Sequence, residues 1–179
     1  MQDEPALLRA AKKLDPDALV AIFDQYAPAV YLYAYRLCHD SMDADNVVGD
    51  TFSALLEQFS AGKGPVVNLR PYIYQMAYHL VVDQVRHNHH FTDLESVMEI
   101  SLGLIASSTE RQFDERALMK NLLTAMHNDL SEIQRHVIIL RFLEGFSLRE
   151  TAMIVCKKEN HVKVIQHRGI ARLRKSLHL

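Results

Sequence analysis

Apolar side chains recur at helical spacing through the first third of the chain. The spacing predicts a helix over about 19–38, with Pro28 marking a kink or a short break within it. A second helix is predicted to begin near Ser41 or Asp43, where early acids suit the positive end of the helix dipole, and to end near Phe59. Its apolar stripe is assigned to core packing: Val47, Val48, Leu55 and Leu56.

A loop and a third helix complete this part of the chain. The stretch 60–68 contains two glycines and a proline, which favour a loop. The third helix has Pro71 in its first turn, where a missing N–H costs nothing, and its apolar positions continue to Val85. Residues 1–90 are therefore predicted to form one small helical domain.

The periodic pattern is lost after this helix. Residues 87–113 combine polar and apolar positions without a regular spacing, and Thr92 and Glu95 offer a short capped helix at most. We expect a flexible linker over 91–112, followed by a second domain over 113–179.

Four helices are predicted in the second half, with end signals between them. Ser131 with Gln134, and Ser147 with Glu150, have the three-residue spacing of capping boxes, and Gly145 ends the helix between them. The predicted faces carry Leu118, Leu122, Leu123 and Met126, then Ile133, Val137, Ile138 and Phe142, then Leu148, Thr151, Ala152 and Val155.

The last two helices have the arrangement of a DNA-reading motif. A short capped helix, a tight turn over 156–159 and a longer helix from near Asn160 match the spacing of a helix-turn-helix. The fold class predicted for the chain is all-α, with two small helical domains. No internal repeat is evident.

The charge distribution supports two different partners. Residues 1–58 carry ten acidic and four basic side chains, whereas residues 135–179 carry ten basic and three acidic ones, although the net charge is only −2. An acidic front half suits a basic protein partner, and a basic helix-turn-helix suits nucleic acid.

The first turns of the last helix carry side chains able to read base edges. Asn, Gln and Lys can pair with purine edges, and Val can meet a thymine methyl group. Nearby cations are placed to hold phosphates. The candidate DNA-binding residues are Arg149, Lys157, Lys158, Asn160, His161, Lys163, Val164, Gln166, His167, Arg168 and Arg172.

Three blocks of sequence resemble one family in the family's own order. The stretch from "LSEIQRHVIILRFLEG" to "VKVIQHRGIARLRKSL" resembles region 4 of the extracytoplasmic-function (group 4) bacterial sigma factors. "YAPAVYLYAYRL" with "DADNVVGDTF" is similar to the core-binding helices of their region 2, and "LRPYIYQMAYHLVVDQVRHNHH" to their promoter-melting helix.

The resemblance implies a dissociable subunit of RNA polymerase. Region 2 would dock on the clamp helices of the largest polymerase subunit, and region 4 would contact the flap and the −35 element. The residues implied in core binding are Asp43, Asp45, Asn46, Val47, Asp50 and Phe52.

The same resemblance implies that region 2 opens the −10 element. Catching an unstacked base requires aromatic or apolar pockets beside phosphate-holding cations. The candidates are Lys63, Asn68, Gln75, Tyr78, His79 and Arg86, with Tyr72 and Ile73 assigned to packing. Residues 87–113 are long enough to let the two domains collapse together, so a compact free or inhibited state with region 4 packed near region 2 is expected. An anti-sigma factor is expected as a partner that could hold this closed form.

The chain departs from the family pattern at three places. Asn46 and Gly49 stand where an acid and a glutamine are usual, the melting helix is poor in arginine, and Cys156 occupies a turn position where glycine is frequent. Fewer phosphate contacts predict weaker and more promoter-selective binding.

Two other functions are compatible with the predicted helix-turn-helix. One is a helix-turn-helix transcriptional regulator whose N-terminal half serves dimerisation or sensing, and the other is a protein-interaction module that retains the fold. A duplex-binding repressor needs neither the melting helix nor the loop before it, which favours the sigma-factor interpretation.

The sequence offers little support for a metal site or for enzyme chemistry. His87, His89 and His90 are interpreted as the polar start of the linker, and Cys38 and Cys156 show no metal or redox spacing. No nucleophile triad, phosphate loop or carboxylate pair is present, so no cofactor or enzymatic activity is expected. The chain has no signal-peptide or membrane-spanning pattern, and a cytoplasmic location without membrane insertion is expected.

Overall fold

The structure is a computed structural model that describes residues 4–65, 67–87 and 121–177. Within these ranges the chain is helical, as the periodicity predicts. A five-residue π-helical turn, Ile139–Leu143, continues directly from the sixth helix. The helices are α1 (Glu4–Ala11), α2 (Pro16–Cys38), α3 (Ser41–Ser60), α4 (Leu69–His87), α5 (121–129), α6 (Glu132–Ile138), α7 (Leu148–Ile154) and α8 (Glu159–Ser176).

The first unit consists of α1 to α4. Asp15 and Asp40 cap α2 and α3, since their carboxylates accept hydrogen bonds from free N–H groups of the first turns. Glu4 on α1 accepts the N–H of Leu69 at 2.8 Å, which satisfies the first turn of α4 with a side chain distant in sequence. The core between these helices contains Tyr33, Phe59 and other fully buried side chains.

Helix α2 runs unbroken from Pro16 to Cys38 and passes through Pro28. The predicted break at this proline is therefore wrong. Pro28 is exposed, so water can reach the carbonyl that loses its intrahelical partner there. Apolar packing on the other side of the helix holds the two halves together: Tyr26, Val30, Tyr33 and Leu37 are all buried.

The second unit begins with α5 and contains α6, the π-helical turn, α7 and α8. Both predicted capping boxes are present, at Ser131 and Ser147. The π-helical turn takes one more residue than an α-helical turn, so the face that follows it is rotated. Phe142, which was predicted on the buried face of this helix, is consequently 55% exposed.

The turn between α7 and α8 has a left-handed residue at Cys156, with φ of 51°. A side chain with a Cβ is strained in this region, whereas glycine adopts it freely. Glycine would therefore fit this position without strain. The helix-turn-helix is formed despite the strain, because the backbone N–H of Lys157 bonds Ala152 O at 2.9 Å across the turn.

The two units are in direct contact. Helix α4 of the first unit packs against α7 of the second, and side chains of α2 contact α6 and the end of the π-helical turn. Tyr33 and Tyr74 of the first unit and His136 and Phe146 of the second are fully buried. In the described ranges no helix is long and apolar enough to span a membrane.

Candidate nucleic-acid and polymerase interfaces

Helix α8 presents one face to the core and the other to solvent. Val162, Ile165, Gly169 and Leu173 are buried at helical spacing. Gly169 lies where α8 meets α6, because a Cβ built there would be 3.4 Å from Ile138 Cγ1. The predicted DNA-binding residues that are exposed are Arg149, Lys157, Lys158, Asn160, His161, Lys163, Val164, His167, Arg168 and Arg172. We refer to these ten as the helix-turn-helix surface.

Two of the predicted DNA-binding residues, one expected to read bases and one expected to hold a phosphate, are engaged within the protein. Gln166 is half-buried, and its Oε1 accepts a hydrogen bond from Arg141 Nε at 3.1 Å. Arg172 donates to Gln134 Oε1 at 3.2 Å, so part of its hydrogen-bonding capacity is already used. The sequence placed both on the correct helix but did not indicate these intramolecular partners.

The predicted −10 residues of α4 lie against the second unit. Gln75 Nε2 donates to Met153 O at 3.1 Å and lies 3.3 Å from Cys156 Sγ, at the turn of the helix-turn-helix. His79 Nε2 is 3.6 Å from the same sulfur. The ring of Tyr78 packs edge-on against His136, with the two centroids 4.8 Å apart. We call Gln75, Tyr78, His79 and Arg86 the α4 face.

Lys63 and Asn68, the remaining predicted −10 residues, are exposed in the loop before α4. Asn68 is left-handed, with φ of 63°, which asparagine tolerates better than most residues. Tyr72 is half-buried and Ile73 is fully buried, in agreement with their assignment to packing.

Glu144 is the centre of the polar contact between the two units. Its Oε1 is 2.8 Å from Arg36 Nη1, and its Oε2 accepts the hydroxyl of Tyr74 at 2.5 Å. Arg70 donates to the backbone carbonyl of Glu144 and stacks over the ring of Phe146, 4.0 Å from its centroid. Helices α2 and α4 therefore hold the same carboxylate of the second unit.

Two pairs of polar rings form a second set of contacts. Tyr33 OH is 2.7 Å from His136 Nδ1, and His39 Nε2 is 3.0 Å from His127 Nδ1. Desolvation, followed by the charge of Arg135, lowers the pKa of His136 to about 3. Desolvation also lowers the pKa of His39 to about 4, with smaller contributions from His127 and Arg135. Both histidines are therefore neutral near pH 7 while the two units are in contact.

The sequence analysis missed these interface residues. Arg36, Tyr74, Glu144 and His136 carry no local motif that marks them as contacts. One weak signal exists in the sequence. Glu144 forms a Glu-Gly pair just before the helix-turn-helix, and it takes part in neither of the two capping boxes.

The acidic face of α3 is only partly accessible. Asp45, Asn46 and Asp50 are exposed, whereas Asp43 is half-buried and accepts Gln84 Nε2 at 2.6 Å. Val47 is only 2% exposed, so its prediction as a core-polymerase contact is wrong for this structure. Val47 faces the helical core, in agreement with its other assignment, to the apolar stripe that packs in the core.

A groove between α2 and α3 was also missed. Phe52 is half-buried and packs edge-on against Phe23, with centroids 4.9 Å apart. Together with Leu19, Val20 and Leu56 they line an almost wholly apolar groove of about 270 Å³. Leu56 is 45% exposed, so its assignment to core packing is wrong. The helical stripe was wider than the buried face, and its outer positions border this groove.

The structure shows no metal centre among the residues it describes. His89 and His90 of the predicted histidine cluster lie outside those residues, as do Thr92 and Glu95. Cys38 and Cys156 are free thiols. Burial, with help from Asp43 and Asp40, raises the pKa of Cys38 to about 12, so this thiol is a poor nucleophile.

Two families match the chain in separate blocks. The Sigma-70 region 2 family matches residues 22–91, and the Sigma-70, region 4 family matches residues 128–175. Together the two matches cover more than half of the chain. The first contains most of α2 and all of α3 and α4, and the second contains α6, α7 and all but the last residue of α8.

Two relatives match the chain over most of its length. The chain is 28% identical over 177 residues to the ECF RNA polymerase sigma factor BldN of Streptomyces coelicolor, covering 96% of this chain and 64% of BldN. It is 26% identical over 168 residues to the ECF RNA polymerase sigma factor SigX of Bacillus subtilis, covering 88% of this chain and 82% of SigX.

Solved structures with a similar fold are complexes. CnrH bound to the cytosolic domain of CnrY matches with a TM-score of 0.69 at 19% identity, covering 97% of this chain and 96% of CnrH. The sigma factor RpoE bound to the anti-sigma factor NepR, from Bartonella quintana, matches with a TM-score of 0.61 at 20% identity, covering 86% and 92%. At these identities the likeness shows the fold.

Proposed function

The chain belongs to the extracytoplasmic-function group of the sigma-70 family, and from this premise we propose that it directs promoter-specific initiation by RNA polymerase. It binds core polymerase through region 2 and places two DNA-binding surfaces on a promoter. It has no chemistry of its own and works in the cytoplasm, where the polymerase and the chromosome are. Residues 1–90 form region 2, residues 91–112 join the regions, and residues 113–179 form region 4.

Region 4 reads the −35 element with α8. Lys163, Val164 and His167 are exposed on the outer face of the helix, where they can reach base edges in a major groove. Lys157 and Lys158, in the turn before α8, are exposed and can hold the flanking phosphates. The base-reading residues are assigned to the outer face of α8 because the buried positions of the same helix determine which face is outward.

Region 2 binds and opens the −10 element with the α4 face and the loop before it. Tyr78 supplies an aromatic ring, and exposed cations are supplied by Lys63 in the loop before α4 and by Arg86 near the end of α4. A ring beside cations is the combination that holds an unstacked base and its phosphates. The mechanism requires that this face be free.

The observation that carries the proposal is that the α4 face and the helix-turn-helix surface meet in this structure. Gln75 is bonded to the turn before α8, and Tyr78 packs on α6. A region 4 held there blocks the −10 face and turns part of its own DNA-binding surface towards region 2. We therefore assign the structure to a closed form of the sigma factor that must open to occupy a promoter.

Core polymerase docks on the accessible part of the α3 face and on the groove beside it. Asp45 and Asp50 supply negative charge, and Phe23 and Leu56 supply exposed apolar surface next to it. Such a surface fits a helical partner with basic and apolar side chains. Val47 contributes by packing α3 against the core and not by contact.

An anti-sigma factor controls the closed form. The solved structures with this fold, CnrH with CnrY and RpoE with NepR, are complexes of the kind that this proposal needs. A partner that binds both units stabilises their contact by its binding free energy. When the partner is removed, the contact between the two units loses this stabilisation, and the sigma factor can open and occupy a promoter.

Transcription with purified core polymerase tests the proposal. The chain should direct initiation from a cognate promoter only when core enzyme is present, and should protect both the −35 and −10 elements. A helix-turn-helix regulator, the alternative function, would bind duplex DNA tightly alone and would leave the −10 strands paired. That second result would overturn the assignment.

A further inference from the structure

A cleft lies between α4 of region 2 and α8 of region 4, bordered by the start of α6. Its volume is about 510 Å³, within the range of small-ligand sites. One wall carries Tyr78 and Arg86, and the opposite wall carries Lys157, His161 and Arg168. The cleft exists only in the closed form, because its two walls belong to different units.

Positive charge faces positive charge across this cleft. Arg86, Lys157 and Arg168 are exposed, and none of them forms a salt bridge to a described residue. Among the described residues that line the cleft, Glu132 is the one acid. Closure therefore brings like charges together, which is unfavourable unless an anion lies between them.

The floor of the cleft is suited to a flat apolar group. The half-buried ring of Tyr78 lies beside Val82, Ile133 and Ile165. Aromatic rings stack on nucleobases with little dependence on base identity. Cations at the edges and a ring on the floor together fit a phosphate chain joined to a base.

We propose that this cleft binds a nucleoside polyphosphate and that the bound nucleotide stabilises the closed sigma factor. The phosphates lie between Arg86 and the cations of region 4, and the base lies against Tyr78. Because Lys157 and Arg168 belong to the helix-turn-helix surface, the nucleotide and promoter DNA exclude one another. This last consequence rests on the proposed function, whereas binding to the cleft does not.

A neighbouring cleft provides the matched control. It is larger, about 890 Å³, and is lined by Gln75, Arg149 and Asn160 among others, without an aromatic side chain. Arg149 is an exposed cation of the helix-turn-helix surface that does not line the proposed site. Replacing it removes one positive charge while the proposed site stays complete.

Titration calorimetry of the full chain with ATP, and separately with inorganic pyrophosphate, tests the site. We expect saturable one-to-one ATP binding, at least tenfold weaker in Arg86→Ala and in Arg168→Ala, and changed less than twofold in Arg149→Ala. Pyrophosphate should bind at least tenfold more weakly than ATP, because it lacks the base. X-ray scattering should show a smaller radius of gyration with ATP than without it, because the bound nucleotide favours the closed form.

Three results would overturn the proposal. They are no saturable ATP binding, equal weakening by Arg86→Ala and Arg149→Ala, and equal affinities for ATP and pyrophosphate. The first two results would mean that phosphate is attracted to the basic helix without a defined site. The third would mean that the base contributes nothing to binding. Promoter binding by the reconstituted holoenzyme, measured without nucleotides, reports the proposed function separately, so that either can fail without the other.

Discussion

Mild acid should open the protein, because closure buries two histidines as neutral rings. His136 of region 4 is bonded to Tyr33 and packed on Tyr78 of region 2, and its Nε2 has no hydrogen-bond partner among the described residues. His39 of region 2 contacts His127 of the second unit. Separation of the units returns these rings to water, where they can take up protons.

The sign follows from the pKa values. In the closed form, burial lowers the pKa of His136 to about 3 and that of His39 to about 4, from an ordinary value of 6.5. Below pH 6.5 the open form binds protons that the closed form does not, so the closed form loses stability as the pH falls. At pH 5.5 each ring costs about 1.4 kcal/mol, and two rings change the closed-to-open ratio roughly 100-fold. Above pH 7.5 neither ring has an effect.

Small-angle X-ray scattering on the full chain measures the change. A compact chain of this length has a radius of gyration of about 16 Å, and the value should rise between pH 7.5 and pH 5.5. His136→Asn keeps a polar side chain near Tyr33 without a titrating group, so it should remove about half of the pH dependence. His161→Asn, at an exposed position outside the Tyr33 contact, is the matched control and should retain all of it. An unchanged radius across this pH range, or an undiminished response in His136→Asn, would refute the reasoning.

Four further substitutions test the remaining contacts. Glu144→Gln removes a salt bridge to Arg36 whose two side chains are largely buried, which should cost about 3 kcal/mol of closure and expand the protein at pH 7.5; a compact variant would contradict the role of this contact. Asp50→Arg should weaken binding to core polymerase in a pull-down assay while −35 duplex binding stays normal, and normal core affinity would remove Asp50 from that interface. Lys163→Ala should cost about 1–3 kcal/mol on the preferred −35 sequence alone, whereas Arg168→Ala should weaken all sequences alike and flatten the salt dependence. Identical losses on every sequence for both would mean that α8 anchors DNA without reading it.

Local signals in the sequence determined the helices and their ends. The capping boxes at Ser131 and Ser147 were predictable because each joins residues three positions apart, and the structure confirms both. Glycine at 145, with φ of 72°, ends the preceding helix for a similarly local reason. The exposed face of α8 followed from the spacing of its apolar residues.

Predictions failed where packing overruled a local signal. Pro28 was expected to mark a kink or a short break, and no break occurs there, because apolar side chains on the inner face hold the helix together. Phe142 was expected in the core, but a π-helical turn rotates it outwards. Val47 and Leu56 lie on one stripe, and only their neighbours in space decide that the first is buried and the second borders a groove.

Only the tertiary structure revealed how the two units meet. Glu144 and Arg36 are 108 positions apart, and Tyr33 and His136 are 103 apart. Such contacts leave no periodicity in the chain, because each depends on one polar atom meeting another across two separately formed helical units. The amino-acid sequence thus predicted two surfaces suited to DNA, whereas the packing of α4 against α7 decided that in this form they face each other.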